Sequence, residues 1–401
     1  MVLIYFLSFL IPFILNYQKH GFNVSTLLIL VYLISSFSAL LLVNIYPSEY
    51  NPSNVTIAAV LSHLILLFLY LYPIIKVGNR LYIGNVIISQ KIICQLSYFL
   101  IIVGFSCILV SYYGIVDVLS ADNFEAARFD ALNREDTSLY QYGLIGYLGT
   151  IGSMSPLFAL FCSFYRLFCL NKKDLLFYLL FFSSFSGAFL NFSFAGRDGF
   201  VRWGMFLILC LVLFRKEFCL KKIPKLLLFL LLAILILIAI LFIAITLARF
   251  GEGESSWKSI LEYAGQSFYY YSDTFNGVGN KNLFGFTSIF PIIPGGMTPL
   301  DIARVNTFNF RLDVFPTFVG TFVLSVGYLN TLIMGLLFFF FYLYFNKTKI
   351  SKLSHIVSYL IFYQVTYIGI FYFVFAMLAR QLSFIIIYLV SFRYYRVVHR
   401  R

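Results

Sequence analysis

Residues 226–247, LLLFLLLAILILIAILFIAITL, form an uninterrupted apolar run with no charged side chain. A helix of about 20 such residues crosses the hydrocarbon core of a bilayer. Backbone amides in that core have no water to bond to, so a spanning segment is either a helix or a strand of a closed barrel. Barrel strands are about 10 residues long and alternate apolar with polar, which this run does not do. Residues 175–194 make a second run without charge. The whole chain has the same character, with 401 residues of which 61% are hydrophobic and 11% charged. The sequence therefore predicts an all-α, polytopic integral membrane protein forming a single transmembrane domain over residues 1–401. About eleven spans are expected, near residues 2–17, 23–45, 55–75, 92–116, 142–165, 175–194, 199–214, 226–247, 314–345, 354–378 and 380–393. The first is read as a span and not a signal peptide, because it lacks a basic region and a small-residue cleavage site.

A net charge of +13 would ordinarily suggest nucleic acid as a partner. Its distribution points to the bilayer instead. One alternate set of loops (Lys19; 76–91; 166–174; 215–225; 347–352; 393–401) holds 19 of the 29 Lys and Arg but 2 of the 16 Asp and Glu. Such an excess marks cytoplasmic loops. With an odd number of spans, the N-terminus lies outside and the C-terminus inside. Lys dominates the inner cations, whereas eight of the ten outer ones are Arg. Topology needs only positive charge, so the outer preference for a planar fork suggests oxyanion recognition. All six cysteines (Cys94, Cys107, Cys162, Cys169, Cys210, Cys219) fall in expected spans or on the inner side, so no external disulfide and no metal motif is expected.

Two apolar runs meet at a short polar turn, AGRDGFVRW (195–203), which carries Arg197, Asp198 and Arg202. A guanidinium at a helix centre in hydrocarbon costs about 2.5–3.5 kcal/mol on insertion scales, and less near an interface. Either an ion pair with Asp198 or snorkelling offsets that cost, or the two arginines hold a phosphorylated ligand, whose oxygens match the guanidinium two at a time.

Two external segments stand out. Residues 117–140 read as an interfacial amphipathic helix with Phe124, Ala127, Ala131 and Leu132 on one face, and with Arg128 and Arg134 solvated among carboxylates. Residues 249–313 form the main external loop, in which the aromatic stretch 256–272 reads as a helix lying on the membrane. Gly143, Gly146, Gly149 and Gly152 precede Pro156 and suggest close helix packing with a bend at the proline. The run 314–345 is long enough to require tilt or a re-entrant bend. His63 lies within a span and is read either as hydrogen-bonded structure or as a relay.

The AGRDGFVRW turn at the outer end of a span, the long loop 249–313, the segment FPTFVGTFVLSVGYLNTLIMGLLF (315–338) and FEAARFDALN before a Gly-rich span together resemble the oligosaccharide repeat-unit polymerases, the Wzy-type O-antigen polymerase family. The resemblance implies a GT-C-like membrane glycosyltransferase in the bacterial cytoplasmic membrane. Such an enzyme moves a growing glycan from undecaprenyl diphosphate onto the sugar end of the next lipid-linked repeat unit, on the outer face. It needs no nucleotide sugar, and it implies a chain-length regulator and a flippase as partners.

That reaction needs cations for the diphosphate and a route for the acceptor hydroxyl's proton. Arg197, Arg202, Arg249, Arg304, Arg311 and Arg380 are the expected diphosphate-binding residues, since all lie on the outer side near span ends. No histidine lies in the outer loops, so the expected base is a carboxylate, Asp273 or Asp313, unless the leaving diphosphate takes the proton itself. No cofactor is expected, and with no DxD-like motif the reaction is expected to be metal-independent. A ligase is the nearest alternative, weakened by the missing loop histidine. A lipid-linked-oligosaccharide flippase or transporter is another, weakened by the scarcity of ionisable groups at mid-span.

Overall fold

The computed structural model describes residues 1–81, 83, 90–121, 143–220, 225–250, 254–278, 284–290, 317–346, 353–371, 373 and 378–398. Among these residues there is no strand. The helices are α1 (Val2–His20), α2 (Val24–Ile45), α3 (Ile57–Gly78), α4 (Gln90–Leu119), α5 (Gly143–Met154), α6 (Pro156–Phe168), α7 (Leu175–Ser183), α8 (Ser186–Phe192), α9 (Asp198–Leu213), α10 (Arg215–Leu220), α11 (Lys225–Phe250), α12 (Glu254–Val278), α13 (Phe318–Phe345), α14 (Leu353–Ile368) and α15 (Leu378–Val398).

Among the described residues six helical segments are long and apolar enough to cross a membrane: α1, α2, α3, α4, α7 continued by α8, and α13. The pair α5 and α6, bent by 67° at their junction, is a broken span, which brings the number to seven, or a re-entrant loop. The protein is thus a multi-pass membrane protein. Several of the eleven expected spans fall short as helices. Both α9 and α14 have 16 residues, and the apolar part of α15 ends at Ser391. A straight helix of that length reaches about 24 Å, less than the hydrocarbon thickness.

The chain packs as two compact units, one of Met1–Leu81, Trp257–Ile350 and Ile361–Gln381, the other of Tyr82–Ser256, Ser351–Leu360 and Leu382–Arg401. In the first, asparagines tie three helix ends together. Asn23 caps α2 by accepting from the Thr26 amide at 2.9 Å and donates to Asn79 at 2.9 Å. Asn79 in turn donates to Asn16 at 2.8 Å. The loops bearing Lys19 and Lys76 therefore share one end of this unit. At its other end lie residues 46–56, where Thr56 caps α3 and where α12 is bonded. These two ends match the division of loops that the charge bias predicts.

The first unit also holds a broken helix. In α13, Gly327 takes φ 80° and ψ 165°, outside any helical region. The part before it is buried, with Phe318, Val319, Val323 and Val326 all at 1% exposure or less. Tyr70 packs on both parts, 5.4 Å from Phe318 and 5.8 Å from Phe322 before the break and 5.4 Å from Phe338 after it. The bend expected of this long run is thus a discrete break. The carbonyl it frees at Ser325 accepts from the amides of Phe284 at 3.0 Å and Gly285 at 2.9 Å. Non-helical backbone at membrane depth is tolerated when protein groups satisfy it in this way.

In the second unit α4 is packed by α5, α7 and α8. Gly152 lies so close that a Cβ there would fall 2.0 Å from the Val103 carbonyl oxygen. Gly146, Gly149 and Gly152 are buried and form a packing face, whereas a Cβ on Gly143 would meet nothing within 4 Å, and the chain bends after them at Pro156, the first residue of α6. A proline has no amide to continue the preceding helix.

Candidate functional site

The turn between α8 and α9 is built around Asn191. Its carbonyl accepts from the amides of Phe194 at 3.2 Å and Gly196 at 3.0 Å, and its side chain accepts from the Gly199 amide at 3.2 Å. Ala195 sits at φ 49°, the left-handed region, so the chain reverses within a few residues. Behind the turn Trp203 stacks on Phe185 at 4.1 Å and donates its indole N–H to Ser184 at 2.9 Å. The two apolar runs are thereby pinned together, and Arg197 is placed at the mouth of α9.

Arg197 and Arg202 begin the same helix but serve different partners. Arg202 is ion-paired with Asp198 one helical turn away. Arg197 is 7% exposed; its Nη1 donates to the Thr246 hydroxyl of α11 and its guanidinium lies 5.0 Å from the centre of the Phe242 ring. Thr246 donates its own proton to the Phe242 carbonyl at 2.6 Å, leaving a lone pair for the guanidinium. Arg202 thus takes the expected local ion pair, whereas Arg197 contacts a neutral hydroxyl and a ring face.

The other expected residues are placed unevenly. Arg249 lies in α11, but its side chain is outside the described residues, as are Arg304, Arg311 and Asp313 altogether. The expected helix in 117–140 falls almost wholly outside them as well. Arg380 is half-buried in the first turn of α15, beside Gln381, which donates to the Ile289 carbonyl. Asp273 lies on α12 and is half-buried.

The aromatic stretch 256–272 does fall in a helix, α12, but its apolar face does not rest on lipid. Gly265 meets the backbone of α2 at Ala39, and Ser35 donates to the Ala264 carbonyl at 2.5 Å. Phe268 packs among Tyr5, Phe9 and Tyr32, and Tyr271 stacks on His63. Its other face is tied to the loop 46–56. Lys258 pairs with Glu49, Tyr50 donates to Glu262 at 2.6 Å, Tyr269 donates to the Asn51 carbonyl at 3.2 Å and Ser272 to the Asn54 carbonyl at 2.8 Å. Burial, the bond to Glu262 and the nearby Tyr270 raise the Tyr50 phenol well above its usual range.

Asp273 differs from these neighbours. Among the described residues its carboxylate has no hydrogen-bond or ion-pair partner, and burial raises its pKa above the ordinary carboxylate value. Desolvation without a compensating cation favours the protonated form and makes the ionised form a stronger base. A carboxylate so placed can take a proton from a hydroxyl that reaches it. Among the described residues no three His, Cys, Asp or Glu side chains gather closely enough to hold a metal ion.

Three features were hidden in the sequence or only half visible. His63 makes bonds through both ring nitrogens, to Tyr5 and Thr317. The partner of Arg197 comes from a helix 49 residues on. The covering of α12 by α1, α2 and α3 has no signal in its own periodicity, because an apolar stripe reads the same under lipid or under protein. Compared with known protein families, characterised proteins and solved structures, the chain finds no match.

Proposed function

We propose that the protein is a glycosyltransferase that joins undecaprenyl-diphosphate-linked oligosaccharide repeat units into a surface polysaccharide, on the outer face of a bacterial cytoplasmic membrane. The reading includes eleven spans in a GT-C-like arrangement. The observation that carries it is Asp273, a half-buried carboxylate without a partner among the described residues, on a helix fixed at the end of its unit away from Lys19 and Lys76.

In the proposed step the acceptor sugar hydroxyl attacks the anomeric carbon of the growing glycan. The bond from that carbon to the diphosphate breaks, the lipid diphosphate leaves with the electron pair, and the hydroxyl proton passes to Asp273. Asp313 is the second candidate for that proton. Arg197, Arg202, Arg249, Arg304, Arg311 and Arg380 are assigned to the charge on the lipid diphosphates, donor and acceptor each carrying one. For Arg202 this means exchanging Asp198 for phosphate oxygens, and for Arg197 leaving Thr246.

A glycan gel of a deletion strain complemented with the native chain or with Asp273→Asn tests this. Deletion should reduce a ladder of lengths to a single repeat, the native chain should restore it, and Asp273→Asn should not. Long polymer accumulating unattached in the deletion strain would identify a ligase, and loss of every surface product a flippase. Either result overturns the polymerase reading.

A further inference from the structure

The side chain of His63 is fully buried in α3, yet both its ring nitrogens are bonded. Nδ1 lies 3.1 Å from the Tyr5 hydroxyl of α1, and Nε2 lies 2.9 Å from the Thr317 hydroxyl at the start of α13. One ring face lies on Tyr271 of α12, with centroids 3.8 Å apart and planes 4° from parallel. Four elements of the first unit therefore meet at a single imidazole. A neutral imidazole has one N–H and one lone pair, and a hydroxyl can either give or accept, so the ring satisfies both partners at once. A phenylalanine would fill the space but make neither bond, so nothing would hold its plane parallel to the Tyr271 ring. Placing a polar ring among apolar side chains is tolerated because of those two bonds, and they act as ties between helices.

By fixing the plane of the imidazole, the ties also fix the Tyr271 ring stacked on it, and with it the proposed proton acceptor. Tyr271 stands two residues before Asp273 on α12, and its hydroxyl shares a hydrogen bond of 3.2 Å with Ser62, the residue before His63. Rotation of α12 about its axis would separate Tyr271 from His63 as it moved Asp273. Thr317 bonds His63 and also caps α13 by accepting from the Gly320 amide at 3.3 Å, so the same imidazole locates the start of the broken helix.

We propose that His63 is a positioning residue, which locks α12 in rotation and ties it to the first turn of α13, so that Asp273 is held at one orientation. The consequence for catalysis rests on the polymerase reading; the locking of α12 does not. The test uses full-length protein in membranes and two readouts. For the first, Asp273→Cys is labelled from outside with a membrane-impermeant maleimide, since the native cysteines are expected in spans or on the inner side. His63→Phe in that background should raise the labelling rate several-fold. For the second, His63→Phe with Asp273 retained should lower kcat about tenfold while KM for the lipid-linked repeat stays within twofold, and His63→Gln, which keeps an amide able to bond Thr317, should recover part of kcat. Unchanged labelling, or a rise in KM with kcat unaltered, overturns the proposal. If His63→Phe fails to insert, Thr317→Val removes the Nε2 partner and carries the same expectations. If labelling responds as expected but the native protein joins no repeat units, the positioning of residue 273 stands and the polymerase reading falls.

Discussion

Gly265 of α12 and Ala39 of α2 lie backbone against backbone, such that a Cβ on Gly265 would fall 2.4 Å from the Ala39 nitrogen. The obstacle is main chain, which cannot swing aside as a side-chain tip can. Gly265→Val should therefore push α12 away from α2, at a cost of about 1–3 kcal/mol typical of overpacking. Thermal unfolding in detergent should show a lower midpoint for this variant. A midpoint equal to the native one would mean that α12 is not docked in this way.

The two arginines of the turn should respond differently to truncation. Arg202 and Asp198 form an i,i+4 pair that is partly exposed, 18% and 22% by side chain, and such pairs contribute about 0.3–0.5 kcal/mol. Arg202→Ala should leave folding nearly unchanged. Arg197 is buried against Thr246 and Phe242, and Thr246→Val would leave a buried guanidinium without that acceptor. The expected loss is about 1.5–3 kcal/mol, the contribution of one hydrogen bond to a charged group. Comparing detergent stability of Arg202→Ala and Thr246→Val checks this, and equal effects would show that Arg197 does not depend on the hydroxyl.

That contrast also shows how far the sequence alone could reach. The Arg202 partner is four residues away on one helix, so spacing points to it directly. Thr246 is distant in the chain, and no local pattern identifies it as a partner. The apolar runs and the division of lysines predicted which loops share an end, as the Asn16, Asn23 and Asn79 bonds bear out for the loops of Lys19 and Lys76. Pro156 and the excess length of 314–345 marked where helices bend or break. What stayed illegible is what covers an apolar face. The face of α12 that reads as lipid-facing is occupied by α1, α2 and α3, and contacts between distant parts of the chain, such as the close approach at Gly265 and the packing of Phe268, distinguish the two cases.

Asp273 makes a prediction whose sign is fixed. Burial raises its pKa, so the folded protein binds this proton more tightly than the unfolded chain does. The ionised form is then a penalty on folding, absent below the unfolded value of about 3.9 and fully present above the raised folded value. Asp273→Asn should be at least as stable as the native protein at neutral pH, with any advantage vanishing on acidification. If the protein joins repeat units as proposed, polymer formation should behave oppositely, since a base must be ionised. Native activity should fall as pH drops through the raised value, at a higher pH than an exposed aspartate would give. A stability curve for Asp273→Asn lying below the native one at pH 7 would contradict the desolvated environment.

Gly327 carries the last prediction. Its φ of 80° and ψ of 165° belong to a region that side chains essentially exclude, so any other residue there is strained by about 1–3 kcal/mol. An alanine would relieve that strain only by drawing the two parts of α13 toward a continuous helix. Doing so would re-engage the Ser325 carbonyl, which now accepts from Phe284 and Gly285, and would pull Phe318 and Phe322 off the ring of Tyr70. Gly335, further along the same helix, serves as the control, because a Cβ there would meet side-chain atoms of Leu69 and Tyr70 at 3.2 Å, which can yield. Gly327→Ala should lower the unfolding midpoint clearly more than Gly335→Ala does, and should loosen the segment 284–290, seen as faster amide exchange at Phe284 and Gly285. If the two variants are equally stable and exchange at those amides is unaltered, the break is not held by Gly327.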